Sequence, residues 1–197
     1  MSLSVVTEPA DGLDPVDLSA VKAEIGVEEA EHDGRIRELI LEATRRAEVI
    51  LGVKRLMSAT LRKGWDAFPP EPFLRLQPRL TSVSALTYVD TAGATQTWDA
   101  ANYVVDAASL VGELHLAWGI AWPAIQPRPN AVQATFLAGY QTQGEIPASI
   151  KRAIKFYAVQ MFWLETSPRT TVRDVLDGFK DLLWPERVLN LGLEANA

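Results

Sequence analysis

The chain contains no cysteine. Disulfides, thiolate metal sites and cysteine nucleophiles are therefore excluded, and the composition fits a reducing compartment. Histidine is almost as scarce: only His32 and His115 occur, in unrelated contexts, without the HxH or HExxH spacing that would build a zinc site. No apolar run approaches the roughly 20 residues that cross a bilayer. The opening residues MSLSVVTEPADGLDP lack the basic flank and apolar core of a signal peptide. The expectation is a protein without membrane contact that stays in the compartment where it is made. Glycines are dispersed: neither Gly112 and Gly119 nor Gly139 and Gly144 form GxxxxGK(S/T) or GxGxxG, so no phosphate loop is expected.

What the chain does have is enough length, 197 residues, for one generous domain or for one domain with a second inserted in it. Its hydrophobic share of 48% and charged share of 22% are those of an ordinary globular protein. The net charge of −6 is unevenly placed. Residues 1–33 carry nine acids (Glu8, Asp11, Asp14, Asp17, Glu24, Glu28, Glu29, Glu31, Asp33) against the single base Lys22, which leaves the rest of the chain at +2. Such a chain is poorly suited to gripping phosphates by counterion release. It is better suited to letting DNA pass or to meeting a basic protein surface.

The hydrophobic period changes twice along the chain. Residues 1–16 read as an extended arm, and Asp17 as the cap of a short helix with Leu18, Val21 and Ile25 on one face. After the acidic linker Glu28 to Asp33, a second helix is expected. Asp33 is read as its cap, Ile36, Leu39, Ile40, Ala43, Ala47 and Ile50 as its apolar stripe, and Gly52 as its C-terminal stop. From about Met57 the period becomes two, predicting strands at 59–65, 73–76, 83–90, 95–98, 103–106, 113–116 and 131–137. Asp90-Thr91-Ala92-Gly93 supplies a hairpin turn. Pro147 opens a third helix with Ile150, Ile154, Tyr157, Ala158, Met161 and Leu164 apolar. After Ser167-Pro168, Thr170 or Thr171 caps a fourth, with Val172, Val175, Leu176, Phe179, Leu182 and Leu183 apolar. Segregated runs of this kind predict an α+β fold: a helical bundle from N- and C-terminal helices with an inserted antiparallel β-sandwich or small barrel. The expected divisions are 1–56 (arm and αα-hairpin), 57–138 (β domain), 139–185 (C-terminal helices) and 186–197 (a partner-binding tail).

No residue set commands a chemical reading. Asp174, Asp177 and Asp181 share one helix face and could in principle hold a cation or move protons, but a solvated face opposite the apolar stripe is the favoured reading. Ser149, His115 and an acid could be written as a triad, yet no GxSxG elbow exists and Ser149 lies in a first helical turn. Lys151, Arg152 and Lys155, followed by Arg169 and Arg173, could touch phosphate. Without interleaved aromatics they read better as a solvated or intersubunit salt-bridge surface, with the acidic N-terminal segment as a partner. Of the six tryptophans, Trp65, Trp98, Trp118 and Trp122 fall in the β segment, whereas Trp163 and Trp184, near helix ends, are read as interface residues. No catalytic, metal or cofactor site is expected.

Three motifs in order carry a family resemblance. They are LSAVKAEIGV with HDGRIRELILEATRRAEVILG, then LTSVSALTYVDTAGATQTWDAANYVVD, then WPAIQPRPNAVQATFLAGYQTQGEIPASIKRAI. Together they resemble the head–tail connector (adaptor) proteins of tailed phages, a class that also occurs in gene transfer agents. The resemblance spans most of residues 18–165. It implies a non-enzymatic homo-oligomeric ring, commonly a dodecamer, in the neck of a virion or phage-like particle made in the bacterial host cytoplasm. It further implies a portal protein on one side, a stopper or tail protein on the other, and DNA passing through without sequence-specific binding. By analogy with the family's variable C-termini, Val188, Leu189 and Leu191 are expected to reach the portal. The rival readings are a neck stopper or tail-completion protein, a small hydrolase with an unrecognised site, and a DNA-binding regulator using the N-terminal αα-hairpin, against which the −8 charge there argues.

Overall fold

In the computed structural model, residues 2–10, 12–166 and 171–187 are described. The fold is α+β, and its described residues divide into a helical unit (12–57 and 140–187) and a β unit (2–10 and 58–139).

The helical unit contains α1 (Leu18–Ile25), α2 (Asp33–Leu51), α3 (Ala148–Thr166) and α4 (Val172–Leu183). Their stripes converge on one core: Val21 and Ile25 from α1, Ile36, Leu39, Ile40, Ala43 and Ala47 from α2, Ile154 and Tyr157 from α3, Val175, Phe179 and Leu183 from α4. N- and C-terminal helices therefore make a single bundle. The first two helices each stop at a left-handed glycine, Gly26 at φ 81° and Gly52 at φ 74°, a conformation in which a side chain would be strained.

Two expected caps act differently. Asp17 occupies the cap position of α1 without bonding its backbone, because its Oδ1 accepts from Gln143 Nε2 at 3.0 Å. Asp33 is the first residue of α2 rather than its cap, and its carboxylate is held by Lys22 Nζ at 2.6 Å. Lys22 also donates to the carbonyls of Glu28 and Glu29. The one base of the acidic segment thus gathers the linker, whose residues 30–32 form a single tight turn. Thr171, not Thr170, caps α4: its Oγ1 accepts from Asp174 N while the Asp174 carboxylate accepts from Thr171 N, a reciprocal capping box. Val172, read as apolar face, is exposed.

The β unit contains β1 (Ser2–Thr7), β2 (Ala59–Trp65), β3 (Phe73–Pro78), β4 (Leu80–Val89), β5 (Thr95–Trp98), β6 (Tyr103–Asp106), β7 (Val111–Leu116) and β8 (Val132–Ala138). One antiparallel sheet has the order β1-β2-β8-β4-β5 and a second β3-β7-β6. They share one core, with Leu61, Leu86 and Phe136 from the first and Leu74, Leu76 and Leu114 from the second. The arrangement is a sandwich of two open sheets, not a closed barrel. Central strand β8 alternates fully, burying Val132, Ala134, Phe136 and Ala138. The arm read as extended supplies β1, an edge strand antiparallel to β2 in which Leu3 faces Lys63 and Val5 faces Leu61.

The turn between β4 and β5 forms as its residues dictate. Asp90 Oδ1 accepts from the amides of Ala92 and Ala94, and Gly93 takes φ 85°. Those bonds hold the Asp90 carboxyl below its usual range, with the Gln96 amide the largest contributor. At the sheet-to-sheet contact, Gly112 of β7 is required by proximity. A Cβ placed there would stand 2.2 Å from Leu80 Cβ, which leaves no room without moving backbone. Gly112→Ala is expected to destabilise the β unit by about 1–3 kcal/mol. A urea midpoint unchanged from wild type would sink that account of the packing.

Candidate interaction surfaces

Side chains that sequence reading set beside one another for catalysis are each engaged locally. Ser149 Oγ, in the first turn of α3, donates to Glu186 Oε1 at 2.6 Å. His115, on β7, shares Glu113 with Arg75: its Nε2 lies 2.9 Å from Glu113 Oε2, and Arg75 Nε donates to Oε1 at 3.2 Å. Asp174 is committed to its cap, and Asp177 stands 3.8 Å from Arg173 on the exposed side of α4. Among the described residues, no three His, Asp or Glu side chains cluster to hold a metal ion, and no helix is long and apolar enough to cross a membrane.

A part-buried polar contact of the bundle is also structural. Tyr157 Oη donates to Glu42 Oε1 at 2.6 Å, and Arg46 Nε donates to the same oxygen at 3.0 Å. Tyr157 burial, reinforced by that bond, pushes its hydroxyl up to about 12. The Tyr157 bond in turn holds Glu42 below the usual carboxylate range. A phenol so raised is the opposite of an activated nucleophile. Glu48, buried, is satisfied by Arg45, Arg55 and the Leu56 amide.

Of the basic residues of α3, one meets the acidic N-terminal segment within the same chain. Lys155 pairs with Glu24 of α1, and Lys151 Nζ donates to the Gln143 carbonyl at 3.2 Å. Arg152 is exposed and has no partner among the described residues. These side chains border a groove of about 700 Å³ between α1 and α3, floored by Val16, Ala20, Phe156 and Val159.

Of the residues expected at interfaces, Trp163 is 42% exposed at the end of α3, packed edge-on against Phe162. Trp184 is 64% exposed, with the Arg187 guanidinium over its ring. Arg173 lies exposed on α4. Arg169, Val188, Leu189 and Leu191 lie outside the described residues.

Two residues were given no role by the sequence reading. Trp118 is fully exposed, at the tip of a turn closed by the bond from Ile120 N to Ala117 O, with Gly119 at φ 78° behind it. The sequence signal was Trp-Gly between prolines and a strand, a turn signature that places a bulky ring where nothing local can cover it. Lys63 is buried on β2, its ammonium donating to the carbonyls of Arg75 at 2.8 Å and Leu76 at 3.1 Å on β3 of the other sheet. Its signal was register, since Ala59, Leu61, Lys63 and Trp65 share the inward side of the strand.

Comparison with known proteins gives a fold. No protein-family model and no curated protein matches the chain. Among solved structures, it is similar to a chain from the neck of an empty gene transfer agent particle with C6 symmetry (20% identity, TM-score 0.73). It is also similar to one from the virion of a native gene transfer agent particle (22%, 0.73) and one from the neck of a native particle with C12 symmetry (22%, 0.66). Each match covers 98% of both chains. The likeness to these particle chains, an α+β fold, thus extends over 98% of the chain.

Proposed function

We propose that this chain is a structural head–tail connector (adaptor) subunit of a tailed phage or gene-transfer-agent-like particle. Twelve copies form a ring in the neck, beneath the portal protein and above a stopper or tail protein. The observation that carries this reading is the end-to-end fold likeness to chains from particle necks of C6 and C12 symmetry. Two features of the chain support it. Its candidate chemical groups are spent on caps and structural ion pairs, and exposed tryptophans stand in both units, the residue type most enriched at interface hot spots. A heterologous contact between copies closes into a ring when its rotation permits, and a net acidic subunit leaves DNA free to slide through. The protein is made in the host cytoplasm and resides in the particle neck.

Native mass spectrometry and electron microscopy of the full chain, alone and with portal protein, test this reading. The expected result is a twelve-membered ring, formed alone or on the portal. A subunit that stays monomeric with portal present overturns it, and docking only to a tail protein would favour the stopper or tail-completion alternative. Replacing Val188, Leu189 and Leu191 together by serine is expected to abolish portal attachment while leaving the circular dichroism of the subunit unchanged. Normal attachment of that variant would remove the tail from the portal contact.

A further inference from the structure

We infer that the groove between α1 and α3 of one subunit receives the Trp118 turn of a second copy of this chain. The inference rests on the connector reading and names a contact that joins one subunit of its ring to the next. Trp118 stands at the turn tip with its ring fully exposed, and Ile120, two residues on, is exposed beside it. The root of the turn is held on both sides. Ala117 N is bonded to Asn102 O at 2.9 Å, and Leu116 N to Pro72 O at 2.9 Å. A tryptophan presented on a fixed backbone has little freedom left to lose when a partner covers it, which suits it to anchor an interface.

The groove has the size, lining and charge to take that tip. Its volume is about 700 Å³, and clefts of roughly 300–1,000 Å³ enclose ligands larger than one indole. Its floor of Val16, Ala20, Phe156 and Val159 is apolar, so seating the ring there removes apolar surface of both copies from water. Charge is complementary at the edges. Residues 80–127 hold the acids Asp90, Asp99, Asp106 and Glu113 and no lysine or arginine. Asp99 caps the short turn that ends at Asn102, and Glu71 precedes Pro72, so an acid stands on each side of the Trp118 root. On the groove's rim Lys155 is spent on Glu24, which leaves Lys151 and Arg152 against Asp17. Arg152, without a partner among the described residues, is free to lie over an indole face. A turn on one surface meeting a groove on another is a heterologous contact. Repeated head to tail, it builds a ring where its rotation closes, not a two-fold dimer. That agrees with the C6 and C12 symmetry of the necks whose chains share this fold.

The absence of native cysteine makes the contact directly testable. Subunits carrying Ala20→Cys and subunits carrying Ile120→Cys are mixed with portal protein and oxidised glutathione, which takes up the two hydrogens as the thiols join. The expected result is a covalent dimer containing one of each. It should form at least about tenfold faster than in a mixture of Val49→Cys with Ile120→Cys, Val49 being exposed on α2. In parallel, Trp118→Ala is expected to raise the subunit concentration needed for rings about thirtyfold, with circular dichroism unchanged, and Trp118→Phe to recover most of that loss. Native mass spectrometry reads both experiments. Rings of Trp118→Ala at the wild-type concentration, or thiols that join no faster than the control, overturn the contact and leave the connector reading standing. Loss of rings without the cross-link means that Trp118 anchors on portal or tail protein, and the groove assignment falls. Wild-type subunits that stay monomeric with portal present overturn both readings.

Discussion

Replacing Phe136 by alanine is expected to lower the stability of the β unit by about 3–5 kcal/mol, the largest effect of any single side chain considered. Phe136 has no solvent exposure and sits in β8, with Leu61 of β2 facing it on one side and Val83 of β4 on the other. Leucines of the smaller sheet close the same core, and sheets packed face to face have no slack with which to collapse around a lost ring. Phe136→Leu keeps most of the volume and should cost less than about 1.5 kcal/mol. Urea titrations of the two variants check both figures. An alanine variant within 1 kcal/mol of wild type, taken as about one-third of the smallest loss expected, would mean that β8 is not the centre of the core.

The second large effect is a pH dependence set by Lys63. Burial between the sheets, aided by the nearby Arg75 charge, lowers its pKa from 10.5 to about 8. Below pH 8 both folded and unfolded chains carry the proton, so the full cost of burying the ammonium is present. Between pH 8 and 10.5 the folded protein has released the proton while the unfolded chain still binds it, so stability rises with pH. The gain approaches about 3 kcal/mol at the top of that window. Lys63→Met should abolish the slope. It also leaves the carbonyls of Arg75 and Leu76 without their donor, so its stability at neutral pH falls where the lost hydrogen bonds outweigh the relieved charge. Urea unfolding from pH 7 to 10 measures the slope. A flat wild-type profile, or a slope that survives the substitution, contradicts this account.

Much of the architecture was legible because its signals are local. A stripe at period 3.6 in Ile36, Leu39, Ile40, Ala43 and Ala47 marks a helix and names its buried face, and alternation in Val132, Ala134 and Phe136 does the same for a strand. Capping was legible only in kind. Asp17 and Asp33 have the right chemistry, but Gln143 and Lys22 compete for their carboxylates, and neither competitor is visible in a short window. Strand β1 was read only as an extended arm because its six residues make an edge, where one side of the backbone stays unpaired and the sequence carries little record of its partner. Lys63 broke the expected inward pattern with a charge, and nothing in the sequence indicated carbonyls on β3 to receive it.

By itself the sequence determined the α+β plan, the order of its segments, the lack of thiol chemistry and the acidic bias of the first 33 residues. Tertiary structure alone decided which charges meet. Arg35 and Glu165 pair across 130 positions, and Lys155 and Glu24 across 131. It also decided that the strands form two open sheets, that Trp118 stands uncovered at a turn tip, and that α1 and α3 leave a groove. The division has one cause. Backbone period and side-chain hydropathy are written in neighbouring residues, whereas a charge, a cavity or an exposed ring takes its meaning from atoms that only folding brings near.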